Sequence, residues 1–174
     1  MKVVMIYDQV QAGLGGKEKL DIPLGGKTMA IGSSNMLDAG MKEADGKIVA
    51  CLYCGDGFFD KNKEEVKAKM VGMVNKIKPD VVICGPAYNY EGYAKMCATL
   101  ANEISTKTNI PAIAAMSKEN EDTINSYKDL VDIVVMPKKG GTGLSEALKN
   151  ICVLAKKKFD NSSDLEDFKS KVCY

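Results

Sequence analysis

Two hydrophobic patterns alternate along this chain. Short apolar runs with little internal alternation occur at Lys2 to Tyr7, Lys47 to Tyr53, Val81 to Cys84, Ala112 to Ala115 and Asp132 to Met136. Runs of that kind suit strands covered on both faces, as in a parallel sheet. Between them, apolar residues recur every third or fourth position, the period of a helix face. Tyr93, Met96, Cys97, Leu100, Ala101 and Ile104 form the most regular such series. Val66, Met70, Met73, Val74 and Ile77 form another, announced by Asn62 and Glu65 at capping-box spacing and closed by Lys78-Pro79. Shorter helices are predicted over Ser33 to Ala44 and around Ile124, Tyr127 and Leu130. A last core helix carries Leu144, Leu148, Ile151, Cys152 and Ala155.

Strands alternating with helices and joined by right-handed crossovers predict an α/β fold with a doubly wound, mainly parallel five-stranded sheet. The expectation is a flavodoxin-like three-layer sandwich with strand order 2-1-3-4-5. Residues 1–158 read as a single α/β domain, and 159–174 as a charged C-terminal tail ending in one more helix. In such sheets ligands sit beyond the carboxyl ends of the strands, so function is expected in the strand-exit loops. The central exit is Gly85-Pro86-Ala87-Tyr88-Asn89, and Asp56 stands between two glycines at another. The stretch from Asp8 to Lys19 reads as a long glycine-bearing loop, either a flexible connection or a ligand loop with Lys17 as an anion contact.

Composition removes several chemistries. The chain has no His, and all its basic side chains are Lys. Neither a Ser-His or Cys-His pair nor a His-ligated metal can be built from it, and no metal site is expected. Anions must be met by Lys, backbone N–H groups or helix N-termini rather than by a guanidinium fork. With 24 basic and 23 acidic residues the formal charge is +1, which gives no reason to expect a nucleic-acid partner. The first apolar run meets Asp8 at once, unlike a signal peptide, and no segment reaches the length of a membrane span, so a soluble cytoplasmic protein is expected.

The candidate chemistry is spread over the strand exits. Cys51 and Cys54 have CxxC spacing, but Cys51 lies within a strand, where a helix dipole cannot lower its pKa. Cys54 and Cys84 both fall at exits. Each is a candidate reactive thiolate or a small buried residue, and the strand order puts them about 10 Å apart, beyond disulfide reach. Gly140, Gly141 and Thr142, preceded by Lys138-Lys139, form either an anion-binding turn or a helix start with Thr142 as N-cap. Tyr88, Asn89, Tyr90 and Tyr93 offer hydroxyls, an amide and aromatic faces to a small polar or quaternary-ammonium ligand, or else a helix start capped by Asn89.

Four motifs together resemble the glycine/sarcosine/betaine reductase component B selenoprotein subunit. They are Ala12 to Lys19, Cys54-Gly55-Asp56-Gly57-Phe58-Phe59, Gly85 to Asn89, and Met116 through Glu119-Asn120, in the same order and at compatible separations. The resemblance runs from about Lys2 to Lys158. It implies anaerobic reductive cleavage of a small amine such as glycine, sarcosine or betaine, within a complex containing a pyruvoyl subunit. It also implies that the reactive selenocysteine lies in a later portion, which this chain lacks. Two departures stand out, Gly92 where family members carry Arg, and Glu121-Asp122 in place of a Pro-Gly turn.

The expectation is therefore a subunit or split domain of such a reductase complex, inactive alone, with the pyruvoyl group or selenocysteine on a partner and no cofactor of its own. Gly85, Pro86, Tyr88, Asn89, Asp56, Glu119 and Asn120 are the expected substrate contacts. Other subunits and a small amine or amino acid are the expected partners, and association with a second copy is left open. The alternative is a non-catalytic, flavodoxin-like protein that binds or senses a small metabolite.

Overall fold

The computed structural model describes every residue from Met1 to Tyr174. Six strands form one sheet: β1 (Lys2–Tyr7), β2 (Gly25–Lys27), β3 (Lys47–Tyr53), β4 (Val81–Ala87), β5 (Ala112–Ser117) and β6 (Ile133–Met136). Their order is β2-β3-β1-β4-β5-β6. The five longer strands are parallel and, counted among themselves, follow the expected 2-1-3-4-5. The sixth is a correction: β2 pairs antiparallel with β3 at the edge, Gly25 opposite Tyr53 and Lys27 opposite Cys51. Gly25-Gly26 has no β-forming side chain, so this strand exists through backbone pairing with its neighbour.

Seven α-helices complete the fold: α1 (Asp38–Glu43), α2 (Asp56–Lys61), α3 (Lys63–Ile77), α4 (Glu91–Lys107), α5 (Glu121–Tyr127), α6 (Leu144–Asp160) and α7 (Leu165–Val172). A 3-10 turn over Gly32–Leu37 precedes α1, dividing the segment expected to be one helix. Side chains in each strand alternate between two apolar clusters. Val4 and Ile6 of β1 join a cluster of 26 buried residues covered by α3 and α4 through Val66, Met70, Val74, Met96, Leu100 and Ile104. Val3, Met5 and Tyr7 join a cluster of 21, covered by Met41 of α1 and Ile151, Cys152 and Leu154 of α6. Cys51 belongs to the second cluster and Cys54 to the first, so the CxxC pair is split between opposite faces.

The boundaries differ from expectation where tertiary packing decides them. Asp56 to Phe59, expected as part of a strand-exit loop, opens the helix α2 because Phe59 is drawn into the core with Phe58 beside it. The capping box does not form. With α2 directly ahead, the Asn62 amide turns back to donate to the Phe58 carbonyl at 3.0 Å instead of capping α3. Strand β4 continues past Cys84 through Gly85 and Pro86 to Ala87, which pairs with Met116 beyond an irregularity in the ladder. At the C-terminus α7 folds back onto the sheet. Cys173 pairs with Val134, and the Tyr174 hydroxyl donates to the Met116 carbonyl at 3.1 Å. No helix is long and apolar enough to cross a membrane.

Candidate functional site

The exits of β1 and β4 lie side by side because β1 and β4 are paired. After β1 the chain does not wander. Ala12 N–H donates to the Asp8 carbonyl at 3.0 Å, Leu14 N–H to Gln9 at 2.9 Å, and Ser33 N–H to Gln11 at 2.9 Å. The last contact needs Gly32, whose φ is +56° and where a Cβ would overlap the Gln11 carbonyl. The loop so folded places Lys17 Nζ 4.8 Å from the centre of the Tyr90 ring.

On the neighbouring exit, Gly85 takes φ +125°, and a Cβ there would come within 2.6 Å of the Ala115 carbonyl of β5. Only glycine lets the two backbones approach in this conformation. Tyr88, Asn89 and Tyr90 follow and lead into α4. Asn120 at the end of β5 donates from Nδ2 to the Tyr88 carbonyl at 2.5 Å and the Ser117 carbonyl at 3.0 Å, so one side chain ties two exits together. Tyr93, one turn into α4, donates its hydroxyl to the Ile6 carbonyl at 3.1 Å.

These elements enclose a cavity of about 390 Å³ at the carboxyl edge of the sheet. Asp8, Gln11 and Lys17 line it from the first loop, Tyr88, Asn89, Tyr90 and Tyr93 from the second, and Lys139 and Gly140 from the loop before α6. A depression of about 610 Å³ at the opposite edge, near Asp80, Thr108 and Asn109, is larger. It contains neither of the unpaired polar atoms described next.

Asp8 is 1% exposed. Its Oδ1 accepts the Gln11 N–H at 2.6 Å, whereas its Oδ2 is buried without a partner. The Tyr88 hydroxyl, on the same cavity, is also buried and unpartnered. Burial pushes the Asp8 carboxyl from 3.8 up to about 6, the nearby Asp56 charge adds to the rise, and the Gln11 N–H opposes it. Asp56 has side-chain donors by contrast: Gln9 Nε2 and the Tyr90 hydroxyl both donate to its Oδ1 at 3.2 Å. It also sits in the first turn of α2, where the helix dipole favours a negative charge. The site thus holds one carboxylate bonded through Oδ1 by two side chains and one with a buried oxygen that accepts nothing.

Of the residues singled out from sequence, Tyr88, Asn89, Lys17 and Gly140 line the cavity. Asp56 stands behind it through Gln9 and Tyr90, and Asn120 beneath it through the Tyr88 carbonyl. Glu119 accepts from Ser117 Oγ at 2.9 Å and does not line the cavity. Gly85 and Pro86 are buried in β4. Gly141 and Thr142 are exposed outside it, and Thr142 does not cap α6, because Gly143, at φ +86°, takes the N-cap position. Asn89 does not cap α4 either, Tyr90 being the residue at that position. Cys54 and Cys84 are fully buried. Burial pushes the Cys54 thiol up to about 12 and that of Cys84 well above the ordinary range. Sequence reasoning passed over Asp8 and Gln11 as ligand contacts; the available signal was an acid directly after the first apolar run.

A family model described as glycine/sarcosine/betaine reductase selenoprotein B matches residues 1–170. The chain is 33% identical over 120 residues to the glycine reductase complex component B subunit gamma of Symbiobacterium thermophilum, covering 69% of this chain and 28% of that protein. It is 28% identical over 134 residues to the sarcosine reductase complex component B subunit beta of Peptoclostridium acidaminophilum, covering 77% and 30%. The betaine reductase complex component B subunit beta of the same organism is 23% identical over 155 residues, covering 89% and 34%. The chain spans about a third of the length of these curated relatives. No solved structure matches it. With a family model matched over nearly its whole length, the chain belongs to the glycine/sarcosine/betaine reductase selenoprotein B family.

Proposed function

We propose that this chain is the amine-recognising part of a glycine/sarcosine/betaine reductase-type complex, and that the cavity between the β1 and β4 exits is where the amine is held. The observation that carries the reading is Asp8, a residue lining a cavity at the carboxyl edge of a parallel sheet, whose carboxylate is buried with one oxygen unpaired. Such an oxygen is costly to bury without a partner, and an ammonium group would supply one. The reductive step is assigned to partner chains carrying the pyruvoyl group or selenocysteine. The thiols at the strand exits of this chain are buried with raised pKa, poor conditions for forming a thiolate. The cavity is also roomier than a single small amine, which leaves its open side for a partner's reacting group. A flavodoxin-like, doubly wound reading of the sheet accords with the strand order and the two-sided core. The buried thiols equally favour a second reading, in which the cavity binds a small amine without catalysis.

The test is a thermal-denaturation panel with glycine, sarcosine, betaine, proline, acetyl phosphate and flavin mononucleotide. At 100-fold excess over Kd, a bound amine should raise Tm by on the order of 5–10 °C. No saturable shift with any of the three amines would contradict amine recognition by this chain. Co-purification with a second chain would separate the complex-forming reading from the stand-alone one.

A further inference from the structure

We propose that the cavity takes its amine as an N–H-bearing zwitterion, the ammonium inward on Asp8 Oδ2 and the carboxylate outward among the Tyr88 hydroxyl, Lys17 and Lys139, and so selects primary and secondary ammonium over quaternary. The inference rests on the amine reading above and goes further by naming the class of amine and its orientation.

Folded proteins leave few buried polar groups unpaired. Here two belong to residues of one cavity, Asp8 Oδ2 and the Tyr88 hydroxyl. A carboxylate oxygen lacks a donor, and an N–H supplies one; a trimethylated nitrogen has none to give. Asp56, the other acid of the site, accepts from Gln9 and Tyr90 through Oδ1 and does not line the cavity, so Asp8 is the carboxylate that a ligand there would meet.

Quaternary ammonium groups are ordinarily held against open aromatic faces. Two of the three rings on the cavity are otherwise engaged. Lys17 Nζ stands over the Tyr90 ring at 4.8 Å, and Tyr93 is 1% exposed with its hydroxyl on the Ile6 carbonyl. The Tyr90 and Tyr93 rings therefore offer little free face to a methylated cation, and the half-buried Tyr88 packs against the cluster beneath the loop.

The opposite end of the ligand is met by cations. Lys17 and Lys139 both line the cavity and both are exposed residues, whereas Asp8 is buried. The lining is thus dipolar, with a buried anion and solvent-facing ammonium groups, complementary to an amino acid entering amine first. Lacking any guanidinium, the chain meets a carboxylate through point charges and the Tyr88 hydroxyl.

The test is titration calorimetry of the 174-residue chain at neutral pH with glycine, sarcosine and betaine, and with methylamine as an amine lacking the carboxylate. Glycine and sarcosine should bind at least tenfold more tightly than betaine. Asp8→Asn should weaken glycine at least tenfold, with its fold checked by circular dichroism, and Lys17→Met should weaken glycine while leaving methylamine unchanged. Betaine binding as tightly as glycine overturns the N–H selection and leaves amine recognition standing, and this comparison needs no variant. Unchanged glycine affinity in a folded Asp8→Asn protein overturns the assignment of the ammonium to Asp8. Equal losses for glycine and methylamine in Lys17→Met overturn the orientation. Absence of binding by all the amines overturns both the inference and the reading beneath it.

Discussion

Asp8 is costly where it stands, and the cost has a sign that can be checked. Its carboxyl is raised from 3.8 to about 6 in the folded chain. The folded state therefore holds a proton more tightly than the unfolded one, and the group's contribution is most favourable below 3.8 and is lost as pH rises through 6. Above that window the ionised form costs the fold about 3 kcal/mol. Asp8→Asn keeps an oxygen for the Gln11 N–H and removes the buried charge, so it should stabilise the unliganded protein at pH 7 by about 1–3 kcal/mol in urea denaturation. A loss of stability would mark Asp8 as a structural anchor instead. Tyr93 is the contrasting case, since its hydroxyl is satisfied by the Ile6 carbonyl. Tyr93→Phe leaves that carbonyl without its donor and should cost about 1–2 kcal/mol in the same measurement. At this scale the sequence was partly legible. Tyr88, Asn89, Lys17 and Gly140 could be nominated from polar character at strand exits. Asp8 could not be valued, because its importance lies in Oδ2 being buried without a partner, which depends on residues far along the chain.

Elements were readable where one strong period decided them and less so where neighbours did. The apolar runs of β1 and β3 and the helical face of α4 carry their own signal. Strand β2 carries none, because Gly25 and Gly26 contribute only backbone. Asn62 was misread for a related reason: a capping signature assumes free N–H groups ahead, and α2 instead presents the Phe58 carbonyl to its amide. Glu121 and Asp122 occupy the first turn of α5, where acids favour the helix dipole. The approach of β4 to β5 gives the clearest element-level prediction. Gly85→Ala forces a side chain into φ +125° and against the Ala115 carbonyl, so it should cost about 2–4 kcal/mol and loosen the Tyr88 to Tyr90 segment. Denaturation with amide exchange of those residues would show it; wild-type stability would mean that the ladder absorbs the side chain.

The whole molecule gathers the residues of the cavity at the carboxyl edge of the sheet and covers the β6 end of the sheet with its C-terminus. Helix α7 is held through Asp132, whose Oδ2 meets Lys158 at 2.5 Å and whose Oδ1 meets Lys169 at 3.0 Å. Burial pushes the Asp132 carboxyl up, but the two ammonium groups overcome it and hold it below its ordinary value. That contribution is present above the unfolded value and is lost as pH falls. Asp132→Asn should therefore cost about 1 kcal/mol at pH 7, and the difference from wild type should close in acid. A gap that stayed constant with pH would show that packing rather than charge holds α7. The parallel strand order and the presence of a cavity at the carboxyl edge were legible because alternating strands and helices leave few topologies. The docking of residues 165–174 was not, since it rests on Tyr174 reaching Met116 across the fold. The central claim is that an ionised Asp8 receives the ammonium, and it is tested most directly by titrating the chain with glycine at pH 7 and again at pH 5. Glycine is zwitterionic at both, while the charge at Asp8 is not. The groups that sense Asp8 or act on it, Asp56, Tyr90, Tyr93 and Cys97, are the ones whose influence the profile would include. The account predicts saturable binding at pH 7 that weakens about tenfold at pH 5 in the wild type and is flat with pH in Asp8→Asn. Equal affinity at the two values in the wild-type protein would contradict it.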